Sequence, residues 1–380
     1  MTDLNLAFVP DWLVDFGGAE RCLDALCPEF PQAPIHCMFY DPRQFGNSHI
    51  SRHLIHTTFL NKPIFKNRYR TFLALYPFAI EQLDVGRPDV VLSFNHSVAH
   101  GALVRSDTLH LCYCHTPIRY VWDLYHPYLK LSGLAAGPRS WLARAMLHYV
   151  RLWDAAAGGR VDGYIANSRC VARRIRRAYG KEAAVVYPPV DVERFKPVAE
   201  RREHFLVVGR MVPYKRTDLA VVACTRLGLP LRVAGDGPEL ARLKRLAGPS
   251  VQFLGRISDA DVAAEMARAR ALLFCGEEDF GITPVEAQAA GTPVIAYGSG
   301  GVLETVIPPE GEDASAATGL FFDEPSAESL AEALRRFEKV RHGFKPEAAA
   351  AQAAKFSTER YVAQMRALIA SEWEAFRGRR

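Results

Sequence analysis

Short apolar runs alternate with helical patterns through the second half of this chain: HFLVVG (204–209), LRVAG (231–235), VQFLG (251–255), ALLFC (271–275), PVIAY (293–297) and GLFF (319–322). Between them, TDLAVVACTRLG, PELARLKRLAG, SDADVAAEMARARA, PVEAQAAG and SAESLAEALRRFEKV space apolar residues three and four apart, and several end at glycine, as helices do. Strands that are apolar along their length belong in a parallel sheet covered on both faces, so this half is predicted to be a Rossmann-like domain. The first half repeats the alternation less regularly, with LNLAFVP, PIHCMFY, DVVLSF, HLCYCH, GYIANS and AVVYPP as strands. Its irregular pieces, residues 43–80 and 117–155, are extra length of the kind that carries function rather than core. Clustered prolines and charges in YPPVDVERFKP (187–197) mark the boundary, giving domains 1–192 and 193–380 with a cleft between them. The last helical pattern, residues 358–376, has no strand after it and is expected to pack back on the first domain.

Composition narrows the class without naming it. With 380 residues, 49% hydrophobic and 23% charged, the chain is an ordinary globular protein. The N-terminus lacks the basic and apolar regions of a leader, and no run reaches membrane-spanning length, so a cytosolic protein is expected. Eight cysteines without CxxC pairing argue for buried thiols rather than disulfides or a zinc ribbon. The net charge of +5 belongs to the first half, where residues 1–195 hold 22 Lys and Arg against 17 Asp and Glu. No acid lies between Asp41 and Glu81, while Arg52, Lys62, Lys66, Arg68 and Arg70 interleave with Phe59, Phe65, Tyr69, Phe72 and Tyr76. Such a stretch suits an anionic membrane surface or phosphates. Ten cations against two acids between Arg139 and Lys181 pose the same question, and SWLARAMLHYVRLWD forms an amphipathic helix with Trp141, Leu142, Met146, Tyr149 and Trp153 mostly on one side, fitted either to core or to membrane. Nucleic-acid modules are missing, so that partner is not expected.

In open parallel sheets, ligands bind beyond the carboxyl ends of the strands. After LNLAFVP, Gly17 and Gly18 open a helix, where a backbone without Cβ and the helix dipole suit a phosphate; a lone Gly-Gly is more often a tight turn. After HFLVVG, Arg210, Lys215 and Arg216 gather cations at a helix start, which the dipole disfavours unless an anion is expected there. After ALLFC, Glu278 and Glu286 stand eight positions apart around a helix start, and carboxylates accept bidentate hydrogen bonds from the diols of sugars and riboses. An acidic loop before an ordinary helix explains the last segment equally well on its own.

Glu278 and Glu286, set in EEDFGITPVEAQAAGTPVIAYGSGG, resemble the E-x7-E signature of glycosyltransferase family four, the large retaining family of GT-B fold. VGRMVPYKRTDLAV, VAGDGPEL, VQFLGRIS, IANSR, VVYPPVD and HTPIRYVWD stand in the family's order, so the resemblance covers nearly the whole chain. It implies that Glu286 holds the ribose diol, and that Glu278 with the backbone N–H groups of Phe280, Gly281 and Ile282 holds sugar hydroxyls. Arg210 and Lys215 would neutralise the diphosphate, Gly17 and Gly18 would meet it from the other domain, and backbone near Ile257 would contact the base. His115 would lie beside the reacting carbon, and Arg119, Trp122 and Asp123 would touch the acceptor. The nucleotide sugar is then a substrate, with no cofactor, metal or protein nucleophile required.

EEDFGITPVEA together with CHTPIRYVWD resembles bacterial O-antigen and exopolysaccharide mannosyltransferases, implying GDP-mannose as donor, a lipid-linked glycan as acceptor and work at the inner face of the cell membrane. UDP-glucose, UDP-galactose and dTDP-rhamnose stay open as donors, as do a sugar-nucleotide epimerase of the same fold and a silent nucleotide-sugar-binding partner. Two decoys are set aside. Asp259-Ala-Asp261 mimics a metal-binding DxD, but Ser258 and Asp261 fit a capping box. His96 and His100 have the spacing of helical zinc ligands without the Glu or third ligand of such a site, and a helix after DVVLSFN accounts for them. Asn167-Ser168 is expected to cap the Arg-rich helix that follows.

Overall fold

Uninterrupted apolar strands do form two parallel sheets, in a computed structural model that describes residues 4–66, 69–198, 203–311 and 313–379. Arg68 and the side chains of Tyr69 and Arg70, counted in the basic stretch, lie outside the described residues. The chain divides into two units, Met1–Tyr187 with Val362–Arg380, and Pro188–Tyr361.

The first unit is built on β1 (Leu6–Pro10), β2 (Ile35–Cys37), β3 (Ile55–Thr57), β4 (Val90–Asn95), β5 (Leu109–Cys114), β6 (Gly163–Ala166) and β7 (Ala183–Val185), in spatial order β3-β2-β1-β4-β5-β6-β7. Every pairing is parallel. Strands β1, β4 and β5 are buried at every residue, which is why they read as unbroken apolar runs. The edge strand β3 was not expected. Its IHT sequence is short and two of its three residues are exposed, so it carries no apolar pattern to detect.

The two irregular pieces are not coreless. Leu60, Leu73 and Tyr76 from one, and Leu129, Ala143, Leu147 and Val150 from the other, close over a single apolar cluster shared with Val9 and Val91 of the sheet. Each leucine or valine among them withdrawn from water contributes about 2 kcal/mol. The helix Thr358–Gly378 belongs from Val362 onward to this unit, where Arg366 pairs with Glu29 at 2.8 Å and Met365 and Ile369 are fully buried. No helix follows β4 directly. A single turn of 3₁₀ helix, Ala99–Gly101, stands there instead, and His100 is fully buried with Nδ1 at 2.8 Å from Asn95 Oδ1. Ser168 does cap the helix Arg169–Tyr179, accepting from Val171 N–H at 3.1 Å.

The second unit has β8 (Phe205–Val208), β9 (Leu231–Ala234), β10 (Val251–Gly255), β11 (Ala271–Phe274), β12 (Val294–Tyr297) and β13 (Gly319–Phe322), all parallel, in order β10-β9-β8-β11-β12-β13. The helices Thr217–Leu227 and Ala327–Val340 cover one face, with Leu219, Leu330, Leu334 and Phe337 packed on Phe205, Val233, Leu273 and Phe322. All eight cysteines are free and buried.

Burial also sets a pH dependence. His36 is pushed down to about 4, by burial and then by the charge of His56. His110 falls to about 3, by burial and then by His100 and Arg160. Both therefore stay neutral in the native protein while the unfolded chain protonates below about pH 6.5. The first unit is predicted to keep full stability above that pH and to lose about 1.4 kcal/mol per pH unit for each histidine as pH falls toward 4. All five tryptophans, at 12, 122, 141, 153 and 373, lie in this unit, so urea unfolding followed by their fluorescence reads it alone. A stability flat from pH 7 to 5 contradicts the assignment.

Candidate functional site

Strand order reverses once in each sheet, between β1 and β4 in the first unit and between β8 and β11 in the second. The loops leaving those strands diverge to opposite sides, and the gap they leave is where a parallel sheet presents backbone N–H groups and side chains to a ligand. The sequence-predicted residues fall largely on these loops.

In the second unit, β8 runs into Gly209 and Arg210, a 3₁₀ turn over Pro213–Lys215, and Arg216 in the left-handed region (φ 50°) ahead of the helix Thr217–Leu227. Strand β11 leads to Glu277, Glu278 and the helix Ile282–Ala289. The two loops meet in an ion pair, with Lys215 Nζ 2.8 Å from Glu278 Oε1 and each side chain 22% exposed. Burial alone opposes the ammonium, but the charge and hydrogen bond of Glu278 outweigh it and raise the Lys215 pKa. Lys215 is thus a largely enclosed cation with an anion already against it. Arg210 is exposed, and its guanidinium makes no hydrogen bond or ion pair among the described residues. Arg216 pairs with Asp218 at 3.2 Å.

Glycines make the close approach of these loops feasible. Gly235, after β9, has φ 130°, and a Cβ there would collide with the carbonyl of Gly209. Gly300, after β12, has φ 79°, and a Cβ there would strike the Glu278 carbonyl, whose residue it bridges in parallel register. Gly301 N–H donates to that carbonyl at 2.9 Å. The backbone of Glu278 is therefore clamped from β12 while its side chain reaches Lys215. Phe280 and Gly281 are buried, Gly281 with φ 86°, and the helix starting at Ile282 offers its first N–H groups without intrahelical acceptors. Ile257 follows β10 and is half-buried.

Glu286 is buried in the helix and accepts from Arg194 Nη2 at 3.3 Å, while Arg194 Nη1 reaches Asp259 at 2.9 Å and its guanidinium lies over Phe195 at 4.6 Å. Asp259 is thus part of an ion pair, and Asp261 sits at a helix start where its N–H donates to Ser258 Oγ at 3.1 Å. Arg194 was missed from sequence because a lone cation in a boundary segment carries no spacing signal.

In the first unit, Gly17 caps the helix Gly18–Leu26, but its N–H is taken by Glu20 Oε2 at 3.0 Å. Gly18 and Ala19, the first helical residues, carry N–H groups without an intrahelical acceptor. Asp11, fully buried after β1, accepts from the N–H groups of His96, Ser97, Val98 and Ala99 at 2.5–2.9 Å and lies 3.1 Å from His96 Nδ1. One carboxyl group thereby fixes the whole turn after β4. His115 follows β5, its ring 6.4 Å from His96, and its Nε2 is buried without a hydrogen-bond partner among the described residues. Burial and then His96 lower its pKa to about 3, so it is a neutral imidazole. In the loop that follows, Arg119 is half-buried, Trp122 Nε1 donates to Asp154 at 2.7 Å, and Asp123 pairs with Arg174 at 2.8 Å. Trp122 and Asp123 are thus held within the unit.

Known proteins bear on both units. The model "Glycosyltransferase Family 4" matches residues 16–194 and "Glycosyl transferases group 1" matches residues 190–356. The GDP-mannose-dependent monoacylated alpha-(1-6)-phosphatidylinositol monomannoside mannosyltransferase of Corynebacterium glutamicum is 31% identical over 47% of this chain and 53% of its own length. The GDP-mannose-dependent alpha-(1-6)-phosphatidylinositol monomannoside mannosyltransferase of Mycobacterium tuberculosis is 33% identical over 42% of this chain and 48% of its own. The chain therefore spans about half the length of the curated relatives it matches. Among solved structures, Anabaena HepE in complex with UDP aligns over 97% of this chain and 100% of that one, with TM-score 0.68 and 18% identity. The sucrose-phosphate synthase of Thermosynechococcus elongatus covers the same shares with TM-score 0.71, also at 18% identity. These likenesses show the GT-B fold.

The Lys215–Glu278 pair makes a stability prediction free of any ligand. Lys215→Met and Glu278→Leu are each expected to cost about 1–2 kcal/mol, since each leaves a poorly solvated charge alone, and the double variant to cost less than their sum by about 1 kcal/mol. Urea unfolding of the four proteins measures this, and strictly additive losses mean that the pair contributes nothing.

Proposed function

This chain belongs to glycosyltransferase family 4, and from that premise we propose that it moves a hexose from a nucleotide diphosphate sugar to a hydroxyl of a lipid-linked glycan or oligosaccharide acceptor in surface polysaccharide synthesis. The observation that carries this reading is the Lys215–Glu278 pair at the strand reversal of the second sheet, with Glu286 buried in the next helix. A diphosphate reaching Lys215 competes with Glu278 for the ammonium. The carboxylate it releases is then available to sugar hydroxyls, and Glu286, steadied by Arg194, takes the ribose diol.

In this reading the bond between the anomeric carbon and the phosphate oxygen breaks with positive charge on the sugar and growing negative charge on the diphosphate. Lys215 and the unpaired Arg210 stabilise that charge, and one such positioned cation supplies about 3 kcal/mol. The acceptor oxygen bonds the anomeric carbon on the face the phosphate leaves, so configuration is retained, and its proton passes to the departing phosphate oxygen. No metal or protein nucleophile takes part. In the first unit, His115 offers a neutral nitrogen to a sugar hydroxyl, and the Gly18 N–H suits a phosphate oxygen.

GDP-mannose is the proposed donor, on the strength of the mannosyltransferases named above. A thermal-shift series with GDP-, UDP- and dTDP-sugars tests it. GDP-mannose at about 100 times its Kd is expected to stabilise the protein by about 2.7 kcal/mol, and other donors by less. Stabilisation by a UDP- or dTDP-sugar alone refutes the mannose assignment, and a failure of every nucleotide sugar refutes the transferase reading.

A further inference from the structure

The helix Pro138–Arg160 has two apolar faces, and only one of them is used by the fold. At 100° per residue, Ala143, Leu147, Val150, Asp154 and Ala157 share one side, all buried, and three of them belong to the cluster beneath the irregular pieces. On the opposite side, Trp141, Leu142, Ala145, Tyr149, Leu152 and Ala156 fall within one 100° sector. Trp141 is 79% exposed, Leu142 75% and Leu152 60%. In the preceding helix, Tyr125–Leu131, Leu131 is 74% exposed as well. A helix that is apolar toward its core needs no second apolar stripe toward water, and large side chains gathered there mark a surface that something covers. The expectation that Trp141, Leu142, Met146, Tyr149 and Trp153 share one side is corrected here: Met146 and Trp153 lie off this sector, half-buried against the core.

We propose that this outward face is a docking surface for an anionic lipid bilayer, lying flat in the headgroup region. Charge selects the occupant. From Leu124 to Arg160 the only acid is Asp154, which is fully buried, while at 100° per residue Arg139 and Arg144 stand on either side of the stripe. A second copy of this chain packed face to face would set cations against cations, because a two-fold contact pairs a patch with itself. Anionic headgroups satisfy the flanking cations while the acyl boundary takes the tryptophan and leucines. No helix among the described residues is long and apolar enough to cross a membrane, so the contact is in the plane of the surface.

The test is co-sedimentation with vesicles of phosphatidylcholine containing roughly one-third phosphatidylglycerol, compared with pure phosphatidylcholine. The wild-type chain is expected to bind the anionic vesicles, with the Trp141→Glu, Leu142→Glu double variant binding about tenfold more weakly and Leu246→Glu, at an exposed site in the other unit, binding as the wild type. Circular dichroism of the double variant checks that it folds, which an exposed pair should not prevent. The readout involves no nucleotide sugar, so it stands or falls separately from the donor assignment. Equal sedimentation of the double variant and the wild type overturns the proposal. So does a wild-type dimer in gel filtration that the double variant converts to monomer, since the face is then an interface between copies.

Discussion

An ammonium group taken largely out of water must have an anion, and in this chain that requirement falls where the second sheet reverses its strand order. Lys215 meets it with Glu278, and the rest of the second unit can be understood as what holds those two charges in register. Strand β8 delivers one loop and β11 the other, glycines after β9 and β12 let the backbones close up, and a carbonyl-to-amide bond from β12 fixes Glu278. An enclosed pair of this kind is a poor source of net stability, because desolvation consumes most of the Coulombic gain. It is a good receptor for a ligand that carries both charge and hydroxyl groups, since each member can exchange its partner for part of the ligand.

The first unit solves a different problem with the same topology. Its reversal point holds neutral and acceptor groups: a deeply buried Asp11 spent on four amides, a Glu20 whose carboxyl is pushed up chiefly by burial, and a His115 kept uncharged. Cationic charge in this unit is carried instead by its irregular segments, which sit over their own apolar core, and by the helix Arg169–Tyr179, whose Val171 and Ile175 pack on Cys112 and Cys114. The strand ends thus carry acceptor groups and a neutral imidazole, while the outer layer is basic and apolar.

Much of this arrangement was legible in the amino-acid order because buried parallel strands leave a strong trace. Both sheets and the loops that leave them could be placed from apolar runs and the glycines and prolines between them. What escaped had no such trace. Strand β3 pairs with β2 through an IHT sequence that no apolar pattern distinguishes. The His96 to His100 spacing suggested a helix, but Asp11 captures four consecutive amides from across the sheet and holds the chain in a tighter turn. Arg194 reaches Glu286 over 92 positions of sequence, a contact that only the folded chain creates. The irregular pieces hide their shared core because its members come from two distant segments that meet only in the folded chain.

The account rests on Lys215 acting as a receptor for the second phosphate of a nucleotide. Calorimetric titration of a nucleoside diphosphate and its monophosphate into the wild type and Lys215→Ala tests this directly. The diphosphate should bind the wild type more tightly, and the substitution should shrink that advantage about tenfold while leaving monophosphate affinity nearly unchanged, as expected for loss of one charge-assisted contact. An advantage that survives the substitution intact would place the diphosphate elsewhere and contradict the account.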